Sequence, residues 1–228
     1  MENPESYRHE YKYIISNVEA EKLIISMRTI IELDSNAREK GCYHIRSVYF
    51  DDYDNSCYWD NVNGVNERKK WRIRAYNNNS SRIQLECKHK TNGLTRKEAC
   101  TISSDEYDAL LRGMPVFSSE RALVNKFSVE MIEKNMKPKV IVGYDRKPYV
   151  YPYGNVRVTL DYNIFSSQDI NSMFSERLRK RLILPSGVQL LELKYDNYVP
   201  KFIADSFGED RMKQETFSKY YLARKYYI

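Results

Sequence analysis

The sequence lacks the spacings that mark a structural zinc site or a phosphate-binding glycine loop. Its four cysteines, Cys42, Cys57, Cys87 and Cys100, show no CxxC spacing, and the chain has only three histidines. Because structural zinc sites are built from closely spaced Cys and His side chains, a zinc ion is not expected. There is no Walker-type glycine loop, which argues against a P-loop NTPase.

Long apolar runs are also missing. No segment approaches the roughly 20 apolar residues that a membrane helix needs. Residues 1–10 carry charges and no apolar stretch of the kind found in secretory signals, so we expect a cytoplasmic protein without a membrane span of its own. Because no Gly/Ser-rich linker or internal repeat divides the sequence, residues 1–228 are predicted to form a single domain.

What the chain does contain is charge and tyrosine. It has 37 basic and 31 acidic residues, a net charge of +6, and 20 tyrosines. The positive excess is modest, so the arrangement of the charges carries more information than their sum. Tyrosine suits half-buried strand positions, where its ring packs and its hydroxyl stays wet.

The charges alternate along the predicted strands. Residues at alternate positions of a strand share one face. Arg68, Lys70, Arg72 and Arg74 therefore lie on one face, and Trp71 and Ile73 on the other. The same alternation sets these charged side chains apart from their apolar neighbours: Arg8, Glu10, Lys12, Glu86, Lys88, Lys90, Arg157, Asp161, Glu192 and Lys194.

Two interpretations of these charged faces remain open. They can be the solvated faces of an ordinary antiparallel sandwich. However, cations side by side on a sheet repel one another, and Arg and Lys are the usual partners of phosphate. Closing the sheet would turn the charged face inward. We therefore predict an α+β fold, a closed antiparallel β-barrel with helices packed outside, whose lining holds a polyanion together with a divalent cation.

Turn and cap signals give the helices and one hairpin. Ser16 and Glu19 form a plausible capping box for a helix, and Ser103 or Ser104 can begin another that ends near Leu111. Asn92-Gly93 is a hairpin signal. Further helices are expected over roughly 119–135, 200–207 and 216–227, and the basic stretch 175–181 is expected to be a helix or a loop.

The charged strand motifs resemble a known family. The motifs that carry this resemblance are the runs 8–13 (RHEYKY), 47–51 (SVYFD), 68–74 (RKKWRIR), 85–90 (LECKHK), 144–146 (YDR), 157–161 (RVTLD), 191–195 (LELKY) and 218–220 (SKY). In this order they resemble the VTC domain of polyphosphate polymerases, over about residues 7 to 221. The members of its superfamily, the triphosphate tunnel metalloenzymes, resemble one another in an eight-stranded antiparallel tunnel.

The resemblance implies transfer of the terminal phosphate of ATP to a growing inorganic polyphosphate chain, with Mn²⁺ or Mg²⁺. We expect Glu192 to bind the metal, whereas Glu10 can bind metal or pair with a Lys or Arg. Glu192 also has the alternative of a salt bridge with Lys194. The expected catalytic cations are Lys12, Arg72, Arg74, Lys88, Arg146 and Lys219. Further substrate-binding candidates are Arg68, Lys70, Arg96, Tyr144 (against the nucleobase), Arg157, Lys194 and Ser218.

One departure bears on the reaction. Hydrolase and cyclase members of the superfamily begin with Glu-x-Glu-x-Lys, and here Arg8 occupies the first position. This favours the polymerase over a metal-dependent tripolyphosphatase. A non-catalytic polyanion-binding domain is a third interpretation, and nucleic acid is the least favoured ligand. Moving the product across a membrane would need a partner protein.

Overall fold

The computed structural model describes residues 7–37, 39–207 and 212–228. These ranges contain the strands β1 (His9–Ser16), β2 (Glu32–Leu33), β3 (Tyr43–Asp51), β4 (Arg68–Tyr76), β5 (Asn79–Thr91), β6 (Leu94–Ile102), β7 (Lys137–Tyr151), β8 (Val156–Ser167), β9 (Arg181–Leu182) and β10 (Val188–Tyr195). The α-helices are α1 (Asn17–Met27), α2 (Ser56–Val62), α3 (Ser104–Leu111), α4 (Ala122–Lys134), α5 (Lys201–Phe207) and α6 (Lys219–Arg224).

The strands form one sheet in the order β1-β10-β8-β7-β3-β4-β5-β6, with β2 attached to β7 and β9 to β8. All of the pairings are antiparallel. The predicted antiparallel sheet with helices outside is therefore confirmed.

Closure of the barrel is where the prediction is wrong. The sheet curls into an open half-barrel whose terminal strands β1 and β6 approach only at their ends. Within the described ranges their only pairing is an isolated bridge between Arg8 and Thr95, with two backbone hydrogen bonds of 2.9 Å. Further along, the free edge of β1 contacts the C-terminal segment instead. Tyr13 bridges to Gln214, and the amide of Glu215 donates to the carbonyl of Lys12 at 2.8 Å.

The local signals for turns and caps agree with the structure. Ser16 and Glu19 form a complete capping box at α1, and Ser103 and Glu106 form another at α3. The β5–β6 hairpin turns at Asn92 and Gly93, whose φ angles of 51° and 80° are both in the left-handed region. This is the conformation that two-residue hairpins require and that Asn-Gly tolerates.

The outer face of the sheet is apolar and is covered by helices. Trp71, Ile73, Leu85 and Cys87 on β4 and β5 pack against residues of α3 and α4, such as Phe127. Helices α1 and α5 cover the outer face of β1, β10 and β8 in the same way. Burying the apolar stripe of each strand forces the alternate, charged positions to the inside of the curl.

The differences in helices have local causes. The predicted helix over 119–135 begins later, at Ala122, and the one over 216–227 is limited to Lys219–Arg224. Residues 175–180 form turns and extended chain, which is the loop alternative of the prediction for the stretch 175–181. Helix α2 was not predicted, because its N-cap residue Asn55 makes no side-chain capping bond. The carboxylate of Asp51, at the end of β3, accepts from the amides of Cys57 and Tyr58 instead. No helix of the described ranges is long and apolar enough to span a membrane.

Candidate active site in the curl of the sheet

Two cavities lie against the inner face of the sheet and share part of their walls. The first cavity, of about 410 Å³, lies beside α6 and residues 214–218. The second cavity, of about 500 Å³, lies beyond the β4 arginines. Among the predicted cations, the first cavity is lined by Lys12, Arg68, Lys70, Arg72, Arg74, Lys88, Arg146, Lys194 and Lys219. The alternation along the strands predicts this shared lining for the cations of β1, β4, β5 and β10, whereas the expectation for Arg146 and Lys219 comes from the family resemblance.

The β4 arginines are held by a carboxylate on β5. Arg72 and Glu86 are cross-strand partners, and two nitrogens of the guanidinium lie 2.6 Å from Oε2 of Glu86. Arg74 is 3.6 Å from the same oxygen, and Lys97 contacts the other oxygen at 3.3 Å. Burial by itself would raise the pKa of Glu86, but Arg72 and Arg74 outweigh it and hold that pKa far below its usual range. Glu86 is therefore an anion that fixes the arginines.

A second ion-pair cluster joins β7, β8, β10 and α6. Arg146 donates to both oxygens of Asp161 at 2.6 and 2.7 Å and to Glu192 at 3.2 Å. Lys219, on α6, lies 2.6 Å from Asp161 and 2.9 Å from Glu192. Burial disfavours the charged form of Lys219, yet Asp161 and Glu192 raise its pKa above the ordinary value. Lys219 is thus buried and charged.

Glu192 is surrounded by cations from four elements, β1, β7, β10 and α6. It contacts Lys194 at 2.8 Å in addition to Lys219 and Arg146, and Lys12 lies 3.9 Å away. Burial favours the neutral acid, but the surrounding lysines, Lys194 first, hold the pKa of Glu192 well below its usual range. The carboxylate therefore stays ionised in its cationic surroundings, so it can act as an ion-pair partner or as a metal ligand.

Glu10 links two of the lysines. Its carboxylate contacts Lys12 at 2.9 Å and Lys88 at 2.7 Å. Burial lowers the pKa of Lys88 to about 7, although Glu10 opposes this shift. The ammonium of Lys12 also donates to the carbonyl of Phe217 at 3.0 Å, so β1 is connected to the segment that leads into α6.

Lys70 has no carboxylate among its hydrogen-bond partners in the described part of the chain. Its ammonium donates to Asn61 at 2.9 Å and to the Ser218 hydroxyl at 3.0 Å, and both of these acceptors are neutral. Burial, followed by the repulsion from Lys12 and Arg68, lowers the pKa of Lys70 to about 7. A negative ligand in the first cavity would supply the counter-charge that the hydrogen-bond partners of Lys70 do not provide.

Tyr144 lies inside the site but is enclosed by cations. Its hydroxyl accepts from Arg74 at 3.1 Å. Arg146 lies 5.2 Å and Lys219 4.7 Å from the ring centroid, and the side chain is buried. This ring orients cations, and the structure gives no support to its predicted contact with a nucleobase.

Arg157 and Arg96 lie away from the first cavity and line the second. Arg157 contacts Asp34 at 3.0 Å and the Tyr43 hydroxyl at 3.0 Å. Arg96 and Lys97 are neighbours on β6, so their side chains point to opposite faces of the strand. Arg96 pairs with Glu98 at 3.1 Å. The structure therefore places both arginines outside the first cavity, although the second cavity also has Arg72, Arg74, Lys88, Arg146 and Lys194 in its wall.

The acidic residues of the first cavity determine which kind of metal ion it can hold. Among the described residues, no group of three or more His, Cys, Asp or Glu side chains is placed to hold an ion by itself. Mg²⁺, however, commonly binds one or two carboxylates and completes its shell with water and substrate phosphates. Glu10 and Glu192 both approach Lys12, at 2.9 and 3.9 Å, and both face the first cavity. These residues fit a hard divalent ion that binds together with a phosphate ligand.

Three residues of the site were not predicted. The strand pattern places Glu86 and Asp161 on the charged faces but indicates no individual role for them. The sequence pattern also gives no role to Tyr49, whose hydroxyl accepts from Arg72 at 3.0 Å. Its position two residues before Asp51 and two after Ser47 on β3 is the signal that could have placed it on the inner face.

Solved structures with a similar fold include three enzymes or enzyme candidates. A candidate adenylate cyclase from Bacillus halodurans is 16% identical, with a TM-score of 0.51, 90% of this chain covered and 87% of the other. A candidate adenylate cyclase from Vibrio parahaemolyticus is 10% identical, with a TM-score of 0.52 and coverage of 95% and 97%. An adenylyl cyclase candidate from Hippeastrum, described as having a dominant triphosphatase activity, is 13% identical, with a TM-score of 0.51 and coverage of 96% and 95%. At such low identity these likenesses show the fold alone.

The chain thus has a fold similar to that of these proteins. No curated protein matches the sequence significantly. The family model of the VTC domain matches residues 7–228. The chain belongs to the VTC domain family.

Proposed function

We propose that residues 1–228 form a polyphosphate polymerase domain that transfers the γ-phosphate of ATP to the end of an inorganic polyphosphate chain. The observation that carries this proposal is the convergence of buried and half-buried cations from β1, β4, β5, β7, β10 and α6 on the first cavity. Phosphoryl transfer needs mainly positioning and stabilisation of negative charge, with no covalent nucleophile from the protein. A site rich in lysine and arginine meets this need.

In this proposal the lining residues have different roles in binding and in phosphoryl transfer. Arg72, Arg74 and Arg146, whose orientations are fixed by Glu86, Tyr144 and Asp161, would bind the triphosphate oxygens. Arg68, Lys70, Lys88, Lys194 and Ser218 would extend this surface. A terminal oxygen of the polyphosphate chain then attacks the γ-phosphorus, a new P–O–P bond forms, and the bond to the leaving ADP breaks. Lys12 and Lys219 would stabilise the charge that accumulates during the transfer.

Glu192 and Glu10 would hold the divalent ion, Mn²⁺ or Mg²⁺. When bound, such an ion polarises phosphoryl oxygens and neutralises their charge. Glu192 contacts Lys194, Lys219 and Arg146, so it would connect the ion to the phosphate-binding cations.

A tripolyphosphatase is the second candidate, because a similarly folded Hippeastrum protein is described as a triphosphatase. Arg8 in place of the first carboxylate of the Glu-x-Glu-x-Lys pattern favours the polymerase.

The test is incubation of the purified protein with γ-labelled ATP and Mn²⁺, with and without a short polyphosphate primer, followed by gel separation. A ladder of lengthening labelled polyphosphate is expected. Free phosphate alone would identify a hydrolase. Tight tripolyphosphate binding without turnover would identify a polyanion-binding domain.

A further inference from the structure

Helix α6 and its N-cap carry two residues of the candidate site, Lys219 and Ser218, but the helix is too short to be stable without tertiary contacts. It spans six residues, Lys219–Arg224, and Ser218 is its N-cap. Isolated helices shorter than about 12 residues are marginal in water. The placement of Lys219 beside Asp161 and Glu192 must therefore come from contacts that α6 makes with the rest of the fold.

One set of these contacts comes from the end of β3 and the start of α2. The buried hydroxyl of Tyr220 donates to Oδ2 of Asp51. Arg224 donates to Oδ1 of Asn55 at 2.7 Å, and the ring of Tyr221 packs on Tyr58 at 5.3 Å between centroids. These contacts hold α6 at both of its ends and along one side.

Asp51 is built into this connection. Its side chain is buried, Oδ1 accepts from the amides of Asp52 and Cys57 at 3.0 and 2.9 Å, and Oδ2 accepts from the amide of Tyr58 at 3.2 Å. The carboxylate thus caps α2 with both oxygens and binds α6 through Oδ2. Burial, with Asp51 beside it, raises the pKa of Tyr220, so the hydroxyl keeps the proton that it donates.

The ring of Tyr220 extends the connection into the lining. It stacks on Tyr49 at 5.3 Å, and the Tyr49 hydroxyl accepts from Arg72. On one side of Tyr220 lies Lys219. One residue further is Ser218, which accepts from Lys70. A shift of α6 would therefore move Lys219 and Ser218 together and would disturb the packing of Tyr220 on Tyr49.

We propose that Asp51 and Asn55 are positioning residues, which fix α6 and thereby hold Lys219 and Ser218 at the phosphate site. Neither touches the substrate in this account, and the inference rests on the proposed function only in taking Lys219 as a phosphate-binding residue. It assigns a role to the end of β3 and the start of α2 beyond the lining itself.

The test is a double-mutant cycle in the full chain. Tyr220→Phe removes the hydroxyl that reaches Asp51 and keeps the ring. Calorimetric titration with inorganic tripolyphosphate should show binding weakened about tenfold, a factor typical of one hydrogen bond to a charged group. In the Lys219→Met background the same change should have less than about a twofold effect, because it acts through Lys219. Tyr221→Phe, on the same helix, is the matched control and should bind as the wild type does.

An equal effect of Tyr220→Phe in both backgrounds, or an effect no larger than that of Tyr221→Phe, would overturn the proposal. Asn55→Gly provides a second variant if Tyr220→Phe does not fold. It removes the acceptor of Arg224, and glycine tolerates the φ of 57° at this position. It should weaken binding in the same Lys219-dependent way.

Amide hydrogen exchange separates this proposal from the proposed function. In Tyr220→Phe the amides of α6 should exchange faster while those of α4 remain unchanged. If the wild type does not bind tripolyphosphate, the proposed function fails, and the exchange data still decide whether Asp51 holds α6. Unchanged exchange in α6 would contradict the positioning role.

Discussion

Arg72 and Glu86 face each other across β4 and β5, and two nitrogens of the guanidinium lie 2.6 Å from one carboxylate oxygen. Both side chains are within the curl of the sheet, and Glu86 is completely buried. The carboxylate occupies one edge of the guanidinium and fixes its plane. The cationic lining is thus preorganised by anions behind it, and a ligand does not have to order it.

Replacing Glu86 tests this preorganisation. Glu86→Gln should lower the free energy of unfolding by about 3–5 kcal/mol at neutral pH, because it leaves buried cations without their counter-charge. Urea unfolding measures the loss. Glu98→Gln, on β6 but partly exposed, is the matched control, and its surface pairs are worth about 0–1 kcal/mol. Equal losses in the two variants would contradict the account.

The same variant should have a defined pH dependence. The pKa of Glu86 is depressed in the folded protein, so its contribution is present above the unfolded pKa of about 4.3 and is lost as the pH falls. The difference in unfolding free energy between wild type and Glu86→Gln should therefore shrink below about pH 4. A difference that grows in acid would mean that Glu86 is neutral in the folded state.

Arg74 offers a cleaner test of phosphate binding than Arg72. Its closest partners are the hydroxyls of Ser47 and Tyr144, so Arg74→Ala leaves Glu86 paired with Arg72. The variant should fold normally and bind tripolyphosphate about 10–100-fold more weakly, the range for a lost hydrogen bond to a charged group. Arg112→Ala, an exposed arginine at the end of α3, should bind normally. Unchanged affinity in Arg74→Ala would exclude the first cavity as the phosphate site.

Glu192 is the residue on which the metal assignment depends. Glu192→Gln should abolish Mn²⁺-dependent turnover and retain measurable tripolyphosphate binding, because the surrounding cations remain. Glu215→Gln, an exposed carboxylate that also faces the first cavity, is the control and should turn over normally. Turnover in Glu192→Gln with an unchanged Mn²⁺ dependence would show that Glu192 is an ion-pair partner only.

Lys70 should give the site a pH dependence near neutrality. Its pKa is lowered to about 7 by burial, so in the free protein it is charged below this pH and neutral above it. Tripolyphosphate prefers the charged form, and the affinity should therefore fall as the pH rises above about 7. Lys70→Arg stays charged and should lose this part of the dependence, whereas both proteins share the titration of the ligand itself. Identical pH profiles would contradict the assignment.

The sequence predicts the lining because strand alternation is local. The spacing of Arg68, Lys70, Arg72 and Arg74 is enough to place them on one face, and the apolar Trp71 and Ile73 indicate which face is covered. The sequence pattern does not indicate the register in which the strands pair. That Glu86 lies opposite Arg72 follows from the register of the β4–β5 hairpin, and that Lys219 meets Asp161 follows from the packing of α6 against the sheet.

The open seam between β1 and β6 has a similar cause. The edge of β1 can pair with β6 or with the C-terminal segment, and both are compatible with its alternation. In the structure, the bridges of Arg8 to Thr95 and of Tyr13 to Gln214 divide that edge between the two partners. The sequence does not indicate helix α2, because the carboxylate that accepts from its first amides belongs to Asp51 of the preceding strand.

The most direct test of the central claim is the ratio of products formed from ATP. Phosphorus NMR of the wild-type protein with ATP, Mn²⁺ and a short primer measures ADP, free phosphate and chain phosphate together. The account predicts that ADP accumulates with a matching gain in chain phosphate and little free phosphate. Equal amounts of ADP and free phosphate, with no chain signal, would contradict it.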